Sequence, residues 1–245
     1  MCKKIVFKGI VFKNIVIENF SKITDISGLY LFPSAPGISS IEFAKSYYNS
    51  LKKADFVFFD SGFFVILLKI FKNISVKRFS GYKFIKLFLE YLKNNKNISI
   101  FLVDPSHEIS RANRNYLIKN GHNKSSINNY IAPYYNTSKL NDEKLIKKLN
   151  LIKPKIILIN LGGGTQEVLG YYLKKKLKFK TKIFCTGAAL SFFTGKQAPI
   201  NDFIDKFYLG WFIRLVLNPK LYFYKQLTSL KLVSMVKNNE INIVK

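Results

Sequence analysis

The chain has 245 residues, 48% of them hydrophobic and 16% aromatic, enough for the core of one sizeable α/β domain and too apolar for a disordered protein. Its formal net charge is +26, yet only four of its 40 basic residues (Arg78, Arg111, Arg114 and Arg214) are arginine. An anionic partner is therefore expected, while the planar fork that reads nucleic-acid bases is scarce.

Short apolar runs at 5–11, 30–32, 55–59, 98–103, 156–161 and 182–185 predict strands. Between them, 40–52, 82–93, 110–120, 143–149 and 166–176 predict helices. This alternation predicts an α/β fold, a Rossmann-like, mainly parallel sheet with helices on both faces. Four of the strands end in turns, Asp60-Ser61-Gly62, Asp104-Pro105-Ser106, Gly162-Gly163-Gly164 and Thr186-Gly187. In such a sheet they converge outside the carboxyl ends of the strands, where ligands bind. From residue 196 the character changes. No acidic residue follows Asp205 until Glu240, and lysines are set among Phe203, Phe207, Trp211, Phe212 and Tyr224. This reads as a basic, aromatic-rich pair of helices, so residues 1–195 are expected to form an α/β domain and 196–245 a helical appendage. The appendage is either an interfacial segment or an ordinary hairpin packed on the core.

Lysines interrupt the first residues every few positions, so no signal peptide is expected. The most apolar window, 63–68, stops at Lys69, well short of the roughly 20 residues needed to cross a bilayer. Cys2 and Cys185 cannot build a disulfide framework and point to a reducing compartment, and His107 and His122 lack a second ligand at metal spacing. No Asp-x-Asp pair is present to hold a cation on a diphosphate, so no metal is expected.

The stretch Leu161-Gly162-Gly163-Gly164-Thr165-Gln166-Glu167 places a glycine turn between a buried-looking run and a lysine-rich helix. That arrangement suits a phosphorylated ligand at a helix N-terminus, or it simply reverses the chain. It is followed by Thr186-Gly187-Ala188-Ala189-Leu190-Ser191-Phe192-Phe193-Thr194-Gly195, then Gln197-Ala198-Pro199, then Gly210-Trp211-Phe212-Ile213-Arg214-Leu215. In order and spacing these segments resemble the WecG/TagA/CpsF family of bacterial glycosyltransferases, whose pattern runs Gly-x-Pro-Lys-Gln-Glu, Gly-Ala-x-Phe-Asp-Phe-x-x-Gly, Arg-Ala-Pro and Leu-Glu-Trp-x-x-Arg-Leu. Upstream, Ala54-Asp55-Phe56-Val57-Phe58-Phe59-Asp60-Ser61-Gly62 resembles the family's Ala-Asp-x-Val-x-x-Asp-Gly segment.

The resemblance implies an inverting, metal-independent transfer of a hexose or N-acetylhexosamine-type sugar from a UDP donor to a sugar on polyprenyl diphosphate. It makes Asp60 the general base and Arg214 the cation facing the departing diphosphate. It places Gln166, Glu167, Gly162, Gly163, Gly187 and Ala188 on the substrates, with no cofactor beyond the UDP-sugar. It further implies a cytoplasmic enzyme held at the inner face of the plasma membrane by its appendage, with room for a homo-oligomer. The departures are Gly164-Thr165 for Pro-Lys, Ser191 for aspartate and Gly210 for glutamate, which remove one cation and two carboxylates. A non-catalytic descendant and a basic nucleic-acid-binding protein are the alternatives, although no nucleic-acid motif is present.

Overall fold

Apolar runs give way to serines or aspartates that start the next helix. Ser61, Ser80, Ser106 and Asp142 each accept a backbone N–H from the helix they precede, a cap worth about 1 kcal/mol. The computed structural model describes residues 4–15, 20, 25–197 and 199–244. In chain order the elements are β1 (Lys4–Phe7), β2 (Ile10–Lys13), β3 (Gly28–Leu31), α1 (Ala35–Ser39), α2 (Lys45–Lys53), β4 (Phe56–Phe58), α3 (Gly62–Lys72), α4 (Gly81–Lys93), β5 (Ile100–Asp104), α5 (His107–Lys119), β6 (Ile127–Ile131), α6 (Glu143–Ile152), β7 (Ile156–Ile159), α7 (Thr165–Lys176), β8 (Lys182–Cys185), α8 (Ala189–Phe193), α9 (Asp202–Lys206), α10 (Gly210–Leu217), α11 (Pro219–Ser229), α12 (Lys231–Asn238) and β9 (Ile241–Val244).

The strands form one mixed sheet in the order β6-β5-β7-β8-β3-β4-β2-β1-β9. Every pairing from β6 to β2 is parallel, and β1 is antiparallel to both of its neighbours. Successive strand side chains point to opposite faces. Leu29 and Leu31 therefore belong to the core on the face covered by α1, α2, α3, α6, α7 and α12, while Tyr30, Phe56 and Phe58 belong to the core on the face covered by α4, α5 and α8. On the second face Tyr30 stacks on Phe56 at 4.3 Å between ring centroids, and the Phe184 ring stands edge-on to Tyr30 at 4.9 Å. Burying each such ring stabilises the fold by roughly 1.5–3 kcal/mol.

Two details differ from the sequence expectation, and the helix that holds the apolar window is not among the predicted elements. The run 5–11 is a hairpin, because Lys8 and Gly9 both take positive φ (46° and 72°) and make the two-residue turn that suits strand twist. The apolar window 63–68 is part of helix α3, whose Phe64 and Leu68 are buried while Ile66 and Ile70 are exposed. Beyond residue 196 the described residues form four short helices and a strand, not a pair of helices. Residues 231–244 return to the main sheet and core, with β9 pairing β1 and Leu232, Met235 and Val236 buried. Among the described residues no helix is long and apolar enough to cross a membrane.

Candidate active site

Because β3, β4, β5, β7 and β8 run parallel, the turns that follow them lie along one edge of the sheet. Asp60 leaves β4 there, one residue before the Ser61 cap of α3. Its Oδ1 accepts the Gly81 N–H at 2.9 Å, at the start of α4, and its backbone carbonyl accepts the Arg78 Nε–H at 2.6 Å. A helix N-terminus favours the ionised carboxylate, and the Gly81 contact fixes how that carboxylate is turned.

A line of contacts runs from Asp60 to the glycine turn. A Cβ at Gly81 would lie 3.3 Å from the carbonyl oxygen of Thr186, so the start of α4 sits directly on the turn after β8. In that turn the Gly187 N–H donates to Gln166 Oε1 at 2.6 Å. Gln166 Nε2 donates to Glu167 Oε1 at 3.1 Å, and the Gly164 N–H donates to Glu167 Oε2 at 2.7 Å. Gly164 takes φ +92°, a conformation that side chains rarely adopt. A Cβ on Gly162, Gly163 or Gly164 would meet nothing within 4 Å, so the turn borders open space at the N-terminus of α7, where backbone N–H groups favour an anion.

Gln166 and Glu167 are buried, at 4% and 1% exposure. Both side chains are engaged in fixing the two turns, and Glu167 caps the start of α7. Burial pushes the Glu167 carboxyl up to about 7, against the hydrogen bonds from Gly164 and Gln166 that favour its anion, and the Asp60 charge adds to the rise. Tyr47 of α2 is raised well above the usual tyrosine range by burial, then by Glu167 and Asp60, and is held neutral beneath the same site. Gly187 has φ +63°, and Ala188, half-buried, opens α8.

A second polar knot lies where the connection after β5 heads to β6 and the one after β7 heads to β8. There Asp104 Oδ1 accepts Asn113 Nδ2 at 2.8 Å and Asn160 Nδ2 at 2.7 Å, and all three residues are buried. Burial raises the Asp104 carboxyl above its usual range, while those amides pull it back. The knot ties β5, β7 and α5 together immediately before the glycine turn.

Arg78 is the functional candidate that sequence reasoning missed. Besides holding Asp60, its Nη1 donates to the carbonyl of Asp205 at 2.6 Å and to Asp205 Oδ1 at 2.9 Å. Ser80 Oγ donates to Asp205 Oδ2 at 3.0 Å, and Lys86 pairs with Asp202. Helix α9 is thereby clasped onto the Asp60 end of the site. The signal available in the sequence was the scarcity of arginine, but its partner lies 127 residues away. Arg214 falls within α10, and its side chain lies outside the described residues.

The edge thus combines a carboxylate, an amide-lined turn open to solvent and an arginine. The model of the glycosyl transferase WecG/TagA/CpsF family matches residues 9–242. The chain belongs to that family. Membership points to glycosyltransferase activity in polysaccharide synthesis, and Asp60, the 162–164 turn and Gly187 stand on the edge just described. No curated protein matches the chain. Among the described residues, no group of three or more His, Cys, Asp or Glu side chains is placed to hold a metal ion.

Proposed function

We propose that the chain is an inverting, metal-independent glycosyltransferase. It moves a hexose or N-acetylhexosamine-type sugar from a UDP donor to a sugar on polyprenyl diphosphate, in the synthesis of a surface polysaccharide or wall polymer. The observation that carries this reading is the Asp60 carboxylate, oriented by Gly81 and joined through Thr186, Gly187 and Gln166 to the open glycine turn. In a single displacement the acceptor hydroxyl oxygen attacks the anomeric carbon, the bond from that carbon to the UDP oxygen breaks, and Asp60 takes the hydroxyl proton. A positioned carboxylate contributes about 10²–10⁴ in rate.

The departing diphosphate gains negative charge. The glycine turn, where a Cβ on Gly162 or Gly163 would meet nothing within 4 Å, leaves room for it to approach the backbone closely, and in this reading Arg214 is the cation that meets it without a metal. Gln166 and Glu167 act by shaping the turn, and Gly187 with Ala188 borders the donor.

Attachment to the inner face of the plasma membrane through α10 and α11 is supported by their exposed rings. Trp211, Phe212, Phe223 and Tyr224 are 45–74% exposed on a stretch without acidic residues. Each lysine or arginine near an anionic leaflet adds about 1 kcal/mol.

The test is transfer of radiolabelled sugar from a panel of UDP-hexoses and UDP-N-acetylhexosamines to polyprenyl-diphosphate-linked acceptors, without added metal. Product that disappears in Asp60→Asn supports the reading. A folded native chain that transfers nothing from any donor sinks it and leaves the non-catalytic descendant.

A further inference from the structure

Tyr208 sits where a tyrosine is poorly suited. Leu209 N–H bonds to the Ile204 carbonyl at 2.9 Å and Tyr208 N–H to the Asp205 carbonyl at 3.1 Å, the paired bonds of a Schellman end to α9. The position after the cap in that motif takes a left-handed conformation and is usually glycine. Tyr208 occupies it with φ +62°. A side chain retained at an unfavourable backbone position is a pointer to function.

The place its ring goes supplies the reason. Gly62 is the first residue of α3, two residues after Asp60, and a Cβ there would lie 2.6 Å from Tyr208 Cγ and 2.7 Å from its Cβ. Glycine stands at a helix start whose backbone does not require it but whose space the ring has taken, and a bulky ring stands where glycine would be. The two choices make sense only together. Above the ring, the Arg78 guanidinium carbon lies 5.1 Å from its centroid, in the range of a cation–π contact. That same guanidinium grips the Asp60 carbonyl and Asp205.

We propose that Tyr208 is a positioning residue for the transfer reaction. Wedged on Gly62 and faced by Arg78, its ring sets the seat of α9 and the direction of the Arg78 guanidinium, and through them the placement of Asp60. Its role in transfer rests on the glycosyltransferase reading, whereas its hold on the clasp does not.

The experiment compares the native chain with Tyr208→Phe, Tyr208→Gly, Gly62→Ala and the Tyr208→Gly/Gly62→Ala pair. It measures kcat, the KM for the UDP-sugar, thermal melting and hydrogen exchange at the Gly81 amide, which Asp60 holds. Displacement of a reacting group by about 1 Å can cost about 10²-fold in rate, so Tyr208→Gly is expected to lower kcat by about that factor with little change in donor KM. Its melting temperature stays near native, because removing the left-handed tyrosine relieves the backbone, and exchange at Gly81 quickens. Tyr208→Phe keeps the ring and both properties. Gly62→Ala pushes the ring away and mimics Tyr208→Gly, while the double variant is no worse than either single one, the non-additivity expected of residues in contact. Unchanged exchange at Gly81 in Tyr208→Gly, or strictly additive losses in the pair, overturns the proposal. If the native chain transfers no sugar, the glycosyltransferase reading fails, and the exchange measurements still decide whether Tyr208 holds the clasp.

Discussion

Around Tyr30 the rings of Phe56, Phe58, Phe84 and Phe184 interlock with none more than 7% exposed, whereas Trp211, Phe212, Phe223 and Tyr224 stand roughly half in solvent. Both regions are rich in aromatic rings; what differs is how the rings are arranged along the chain. In β3 and β4 every second residue faces the helix α4 side, so a ring on one strand finds a ring on the next. In α10 apolar residues go all the way round, and one helix cannot bury every side against a single neighbour. An exposed apolar surface of this kind belongs to a second phase or partner. On the proposed reading, chemistry falls to the packed region and attachment to the open one, and the Arg78–Asp205 clasp holds α9 between them.

Variants that separate the two regions test this division. The largest effect is expected from Asp60→Asn, a loss of about 10²–10⁴ in transfer rate with vesicle binding unchanged; an active variant breaks the assignment of chemistry to the packed side. Next comes Phe84→Ala, which should cost about 3–5 kcal/mol in urea denaturation because it empties a site between Tyr30's neighbours and α4. A cost below that of an exposed ring would mean the interlocked region is not the core.

Glu167 provides a third test, through pH. Its folded-state value of about 7 lies above the ordinary glutamate value, so between the two the folded chain holds a proton that the unfolded chain has lost. The stabilising contribution is complete below the unfolded value and disappears as pH rises through about 7. From the size of the shift it is worth roughly 2–4 kcal/mol. Urea midpoints of the native chain and Glu167→Gln, compared at acid and mildly alkaline pH, isolate it from the general charge repulsion of a +26 chain. Parallel pH profiles for the two proteins would be falsifying. The smallest effect on folding is expected from Trp211→Ala, within about 0.5 kcal/mol of native, while co-sedimentation with anionic vesicles falls. A large loss of stability would instead place Trp211 in the packed region.

Most of the central sheet was legible because β3, β4, β5, β7 and β8 are apolar runs that end at turn residues. Asn128 and Asn129 interrupt the pattern of edge strand β6, and β9 is a four-residue strand whose partner, β1, lies at the other end of the chain. Neither carries a local signal. In α3 the unbroken run of apolar residues hid the helical period, which shows only in which side chains are buried. For the site, Asp60 and the glycine turn could be read from motifs. The burial of Gln166 and Glu167 could not, because it depends on Gly187 being brought from 21 residues away. Arg78 and Tyr208 were invisible for the same reason, since their meaning lies in contacts with Asp205 and Gly62.

The pairing of β9 with β1 also governs the order in which the molecule can be completed. Lys4 pairs with Val244 and Phe7 with Ile241, so one flank of β1 lacks its neighbour until residues 241–244 have been made. Contacts between such distant residues are slow to form. Helices α9 to α11 are therefore held as an excursion between two anchored ends, and trimming the chain back from residue 244 would first remove a strand of the sheet, leaving the exposed helices in place.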